Sequence, residues 1–399
     1  MNTLSLSWRY LWARPLASAL NLLLLSLALA AITLVLLVRT QLDRAFERDV
    51  AGIDAVVGAK GSPLQLILSG VFHIDVPPGN IPLSEAQALA QDARVAQLIP
   101  LSLGDSYEGF RIVGTTRDYP AHYDAALAQG QWWQAPMEAV LGAQVARNTG
   151  LTAGGLFAGV HGLGGGGEVH GEEPYLVSGV LAPCGCVLDR LVLTSSESVW
   201  RVHEGEPEDE AERRALEAGR EITLALIRYR SPLAAVTFTR YVNEATGLQA
   251  AAPALEITRL LRLVGVGTDV LRGFAAVLLL SAGLSVFIAL WSALRERRAD
   301  LALLRLLGAP PRRLAALLLC EALWLALLAT ALGLAAGHGL TALLGWLLEQ
   351  DRSLPISGTV WLAQELWVPV LALTVAALAA ALPVLAAYRS EAAALLNER

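Results

Sequence analysis

Four long apolar stretches organise the chain: residues 16–38, 271–294, 314–345 and 366–387. Each exceeds the roughly 20 residues that a helix needs to cross a hydrocarbon layer of about 30 Å. They predict four transmembrane helices. Between the first and second lie residues 39–270, where no comparable run occurs. There the pattern changes to short alternating or β-branched segments at 110–115, 175–181, 187–193 and 222–229, and helix-like stretches at 84–98, 139–150 and 231–245. This mixture predicts an α+β domain inserted between helices 1 and 2. Residues 39–50 and 257–271 continue the adjoining spans as polar-faced stalks. Glycine-dense 152–167 and acidic 204–214, with Pro207, predict loops.

The short loop 295–313 holds six arginines against Glu296 and Asp300. That excess places it in the cytoplasm, with residues 1–15, the tail 388–399 and both termini. The inserted domain and the loop 346–365 then lie outside, the latter with a small interfacial helix around Trp361. Within the cytoplasmic loop, Leu301, Leu304 and Leu307 share one helical face, and Gly308 with the prolines at 310 and 311 ends the helix. Taken alone, this periodicity favours a helix that merely anchors the loop at the interface. A secretory signal ending near Ala28-Leu29-Ala30 is disfavoured because the apolar run continues to Val38.

The block Glu296-Arg-Arg-Ala-Asp-Leu-Ala-Leu-Leu-Arg-Leu-Leu-Gly-Ala309, a third span with an early Glu321, and the ending Leu382-Pro-Val-Leu-Ala-Ala-Tyr-Arg389 resemble the signature of FtsX-like permeases of the MacB and LolC type. Shorter phrases, among them Val113-Gly-Thr-Thr-Arg-Asp-Tyr119 and Leu176-Val-Ser-Gly-Val-Leu181, are similar to the MacB-like periplasmic core domain. The resemblance implies a non-catalytic membrane subunit of an ABC transporter in the inner membrane, paired as a homodimer or heterodimer. A separate ATPase would bind the ATP and dock on a coupling helix at 299–308. Arg298, Asp300, Leu301, Leu304, Arg305, Leu307 and Gly308 are the coupling residues it implies. A periplasmic binding protein, lipoprotein or peptide is the implied extracytoplasmic partner.

Composition agrees with a membrane protein that has a large aqueous portion: of 399 residues, 55% are hydrophobic and 17% charged. A net charge of -6 offers no basic face to nucleic acid. No Gly-x-x-x-x-Gly-Lys-[Ser/Thr] loop, Gly-x-Ser-x-Gly elbow or His-Glu-x-x-His motif is present, which removes ATP hydrolysis by a phosphate loop and the commoner hydrolase chemistries.

Inside the spans, a carboxylate at Glu321 costs a few kcal/mol unless it faces protein or water, so it reads as a polar anchor to the second span or the loop. The Gly333-Leu-Ala-Ala-Gly337 spacing puts two missing side chains on one face, a helix-packing surface. His338 reads as a helix-end residue, Cys320 as packing, His73 as a core or strand residue, and Trp132-Trp133 as core. Trp8 and Trp12 before the first span and Trp361 and Trp367 around the fourth fit interfacial belts. Cys184 and Cys186, near His161, His170 and His203, form the weak candidate set for a metal such as Zn²⁺ or Cu(I). The Cys-x-Cys spacing favours an inert pair, with a disulfide as the third possibility. No resident cofactor is expected.

Three function classes remain open on the sequence. The foremost is mechanical coupling of ATP hydrolysis to the outer domain, or handling of a lipoprotein or peptide. The second is ABC-driven solute uptake or export, metals included. The third is a membrane scaffold or sensor without an ATPase.

Overall fold

The computed structural model describes residues 3–162, 173–204, 209–297, 303, 305–350 and 356–389. Helices long and apolar enough to span a membrane are Pro15–Val50, Pro253–Glu296, Pro311–Gln350 and, with its preceding 3-10 turn at Ala363–Leu366, Trp367–Arg389. The first two overrun any bilayer: at 36 and 44 residues they carry their apolar segments on into the predicted stalks. A further helix, Thr3–Trp12, precedes the first span. On it, Trp8 packs edge-on against Trp324 with ring centroids 5.2 Å apart while staying exposed, as does Trp12.

The chain divides into two units, Met1–Leu42 with Leu263–Arg399, and Asp43–Arg262. The membrane unit has a core of Leu25, Leu29, Ala282, Val286, Leu318, Ala322, Leu325, Ala372 and Ala376. Small side chains suit this setting, because lipid supplies no hydrophobic drive between helices and close van der Waals packing must replace it. A Cβ on Gly333 would stand 2.7 Å from Leu29 Cβ, and one on Gly337 would stand 2.6 Å from Thr33 Cβ. Both glycines therefore let the third span pack on the first span of the same chain. Thr33, Thr330, Thr341 and Thr374 each donate to the carbonyl four residues back, so these four hydroxyls are satisfied within their own helices.

The other unit is built on strands β1 (Ala55–Ala59), β2 (Ile81–Pro82), β3 (Val95–Tyr107), β4 (Phe110–Thr115), β5 (Leu127–Gly130), β6 (Glu138–Leu141), β7 (Leu156–Phe157), β8 (Val160–His161), β9 (Tyr175–Leu181), β10 (Leu191–Ser195), β11 (Glu221–Ile222), β12 (Leu224–Tyr229) and β13 (Leu248–Ala251). The main sheet runs β13-β1-β12-β3-β4-β10-β6-β9-β5, with β8 on β3 and β7 on β9. It is mixed: β4–β10 and β6–β9 pair parallel, the other pairs antiparallel. Every residue of β4 is buried, so it lacks the inside–outside alternation of a one-faced strand. One core joins Val57, Ile81, Leu89, Ala225 and Phe238, a second Phe110, Ile112, Leu141, Phe157, Tyr175 and Val192.

Several local expectations are corrected. Residues 139–150 are not one helix: β6 ends at Leu141 and a helix occupies Ala143–Thr149. Gly142 sits at the junction in an extended conformation, where a Cβ would lie 2.2 Å from the Leu188 carbonyl oxygen. Residues 84–98 split into helix Leu83–Ala90 and the start of β3. Asp92 breaks them apart by accepting the Arg94 N–H at 2.9 Å in an Asx turn. The acidic connector becomes, in its described part, helix Glu210–Gly219, capped by Asp209 accepting from Glu212 N at 2.7 Å. The glycine-dense loop contributes β7 and β8 before passing outside the described residues.

Both long stalk helices connect directly to one corner of this sheet. The first leads into β1; β13 leads into the second, whose first residue is Pro253. β1 and β13 are antiparallel neighbours, with Val56 opposite Ala251 and Ala59 opposite Leu248. Asp43–Val50, the part of the first helix inside this unit, is held at several points. Tyr123 donates its hydroxyl to the Asp49 carbonyl at 2.7 Å, Val187 N donates to the Asp49 carboxylate at 3.0 Å, and Phe46 packs edge-on against Phe72.

Candidate coupling site

Arg298, Asp300, Leu301 and Leu304 lie outside the described residues, as does His170. Of the remaining coupling residues, Leu307 N donates to the Leu303 carbonyl and Gly308 N to the Arg305 carbonyl, both at 3.0 Å. Gly308 has φ 88°, a left-handed conformation that ends a helix at little cost only for glycine. Arg305 reaches forward to the Ala309 carbonyl at 3.4 Å. Leu303, Leu306 and Leu307 are 61%, 64% and 77% exposed, an apolar row at the end of the loop.

The loop leaves the second span through a polar knot. Arg297 donates to the Tyr10 carbonyl at 2.9 Å, stands over the Tyr10 ring with its guanidinium 4.3 Å from the centroid, and reaches the Glu321 carboxylate at 3.4 Å. Glu321 is buried on the third span, and Arg14 pairs with Glu296 beside it. The carboxylate thus meets a guanidinium instead of lipid, which offsets the cost of placing it there. Because Arg297 precedes the coupling segment immediately, the knot ties three segments to its start: Thr3–Trp12, Pro253–Glu296 and Pro311–Gln350.

His338 is fixed at the other end of the third span. One ring nitrogen lies 2.7 Å from the Gly358 carbonyl and the other 2.8 Å from the buried Glu365 carboxylate. Gln41 holds the same loop through both backbone groups of Ser357, at 2.9 and 3.0 Å.

In the inserted unit, Cys184 and Cys186 are joined as a disulfide, so their sulfurs are not available as thiolate ligands. His161 and His203 do come together, with Asp105 and not with the cysteines. His73 is buried in a non-strand segment and bonds Tyr119 Oη at 2.8 Å. Burial, with Arg111 and Arg190 nearby, holds its pKa well below the ordinary value. Trp133 is core, as the sequence predicts, while Trp132 is half-buried.

A chain with four apolar helices, an α/β domain between the first and second, and an arginine-rich loop between the second and third has the architecture of a membrane permease with an inserted domain. Residues 18–224 match the MacB-like periplasmic core domain and residues 272–392 the FtsX-like permease C-terminal domain. The chain belongs to this FtsX-like, MacB-type family of ABC transporter permeases. No curated protein sequence matches it. Among solved structures, it is similar to the periplasmic region of MacB from Actinobacillus actinomycetemcomitans at 13% identity and TM-score 0.36, covering 53% of this chain and 95% of that one. It is also similar to the extracellular domain of the noncanonic ABC-type transporter YknZ from Gram-positive bacteria, at 12% identity and TM-score 0.31, covering 50% and 98%.

Proposed function

We propose that this permease converts ATP hydrolysis by a separate ATPase subunit into displacement of its own extracytoplasmic domain, and so moves a lipoprotein, peptide or similar partner. The observation that carries this reading is the attachment of two overlong helices to the paired strands β1 and β13. A rigid helix transmits a push only if its far end is fixed, and hydrogen-bonded neighbouring strands together with the Asp49 contacts provide the fixing. At the near end, the apolar row Leu303, Leu306 and Leu307 offers the ATPase a docking face, with Arg298, Asp300, Leu301 and Leu304 neighbouring it in the sequence. Arg297 and Glu321 brace that helix against the spans, so that its movement is passed on.

A hydrophilic path for a solute needs polar side chains along the spans. The ionisable residues within the apolar runs are engaged in contacts inside the protein: Arg272, at the edge of the second run, with Asp269, Glu321 with Arg297, and His338 with Glu365. Mechanical transmission therefore fits better than passage through a pore. In this scheme the loop and termini are cytoplasmic, two permease copies or a permease and its homologue bind two ATPases, and the domain faces the periplasm.

Co-expression with the ATPase tests the docking face. Leu307→Asp places a charge where an apolar contact is required, and is expected to lower ATPase co-purification and permease-dependent ATP turnover by at least about tenfold, equivalent to roughly 1.4 kcal/mol. Leu156→Asp, at an exposed leucine of the inserted domain, serves as the control and should have no effect. Unchanged assembly and turnover in Leu307→Asp would remove the docking face.

A further inference from the structure

We propose that Asp105, His161 and His203 form a binding site for a divalent transition-metal ion of the zinc class on the inserted domain. Three separate elements supply the ligands: β3 carries Asp105, β8 carries His161, and helix Ser196–Glu204 carries His203. One ligand atom from each lies within 4.8 Å of the other two. Asp105 Oδ1 is 3.3 Å from His161 Nδ1 and 3.9 Å from His203 Nε2. Tetrahedral ligands with metal bonds of about 2.0–2.1 Å stand roughly 3.3 Å apart, so small side-chain rotations close the set around one ion.

The backbone is arranged to hold this geometry. Asp105 and His161 are register partners across the β3–β8 pair. Gly162 N donates to the Gly104 carbonyl at 2.8 Å, and Ser106 Oγ donates to the Gly162 carbonyl, locking β8 on either side of the ligand position. The β3–β4 register slips between Leu103 and Ser106, a bulge that re-aims Asp105. His203 stands over Gly104, its Nε2 at the 3.5 Å of ordinary van der Waals contact from where a Cβ would be.

Exposure also fits a site open to solvent. The Asp105 side chain is 1% exposed, against 61% for His161 and 36% for His203, giving a buried anionic floor beneath two accessible imidazoles. The imidazoles lie 5.5 Å apart between centroids. Imidazole donors select zinc-like ions over Mg²⁺ or Ca²⁺, which prefer oxygen throughout. The site is independent of the coupling mechanism proposed above.

The test uses the full chain in detergent, purified through a tag without histidine, stripped with chelator and titrated with ZnCl₂ against a chromogenic competitor. One Zn²⁺ per chain is expected, with affinity at least about tenfold weaker in His161→Ala and in His203→Ala, unchanged in Cys184→Ser/Cys186→Ser, and not reduced by millimolar Mg²⁺. Because both histidines are exposed, the variants should keep the metal-free thermal midpoint, and zinc should raise that midpoint in the wild type but not in the double histidine variant. Absence of zinc binding, or binding retained in the double histidine variant, overturns the proposal.

Discussion

His73 gives the inserted domain an acid-sensitive point. Its folded pKa is depressed, chiefly by burial and then by Arg111 and Arg190, so the unfolded chain takes up a proton below about pH 6.5 that the folded chain refuses. The stability this residue contributes is therefore complete above that pH and is lost as the pH falls. Asp49, pushed up to about 6 chiefly by burial, pulls the other way in the same window, so the thermal midpoint of the full chain in detergent should fall more, or rise less, between pH 7 and pH 5 than that of His73→Asn. Asn suits the position because His73 has φ 56°, a left-handed conformation that Asn tolerates. Part of the slope should survive, since His122 is also held below its ordinary pKa by burial. Equal slopes in both proteins would contradict this assignment. Gly337 is the corresponding point in the membrane unit: Gly337→Ala should cost about 1–3 kcal/mol, because its Cβ meets Thr33 at 2.6 Å. Gly339→Ala, where nothing lies within 4 Å, should be neutral or slightly stabilising. Midpoints measured side by side decide both.

At the scale of elements, what the sequence makes legible follows from burial. The four spans are plain because lipid requires an unbroken apolar run, and the stalk 39–50 is plain because nothing breaks the helix before Gly52. β6 is hidden because Ala139, Val140 and Leu141 are buried on both faces and show neither period. Helix Glu210–Gly219 is hidden because its support is a cap and local Glu210–Arg213 and Glu210–Arg214 pairs, which a reading of acidic composition passes over. The metal candidates divide in the same way. Clustered Cys and His residues draw attention in the sequence, yet Asp105 joins His161 only through strand register, which no local spacing encodes. The candidate coupling motif is legible as a sequence, while the brace from Arg297 to Tyr10 depends on a helix, Thr3–Trp12, that stands apart from the long apolar runs. The stalk connections carry their own prediction. A flexible Gly-Ser-Gly-Ser insertion between Ala252 and Pro253 should leave ATPase turnover within about twofold of wild type while abolishing nucleotide-dependent movement of the domain. Movement that persists would mean that force does not travel through β13.

At the scale of the whole molecule, a nucleotide cycle on one side of the membrane is expected to change the position of the domain on the other. The most direct test is a pair of spin labels, one at exposed Val236 in the inserted domain and one at exposed Trp361 in the outer loop, in the complete permease–ATPase complex reconstituted in lipid. The distance distribution should shift between the ATP-bound, hydrolysis-blocked state and the nucleotide-free state, and the shift should vanish in Leu307→Asp. Identical distributions in the two states, in a complex that turns over ATP, would contradict the account.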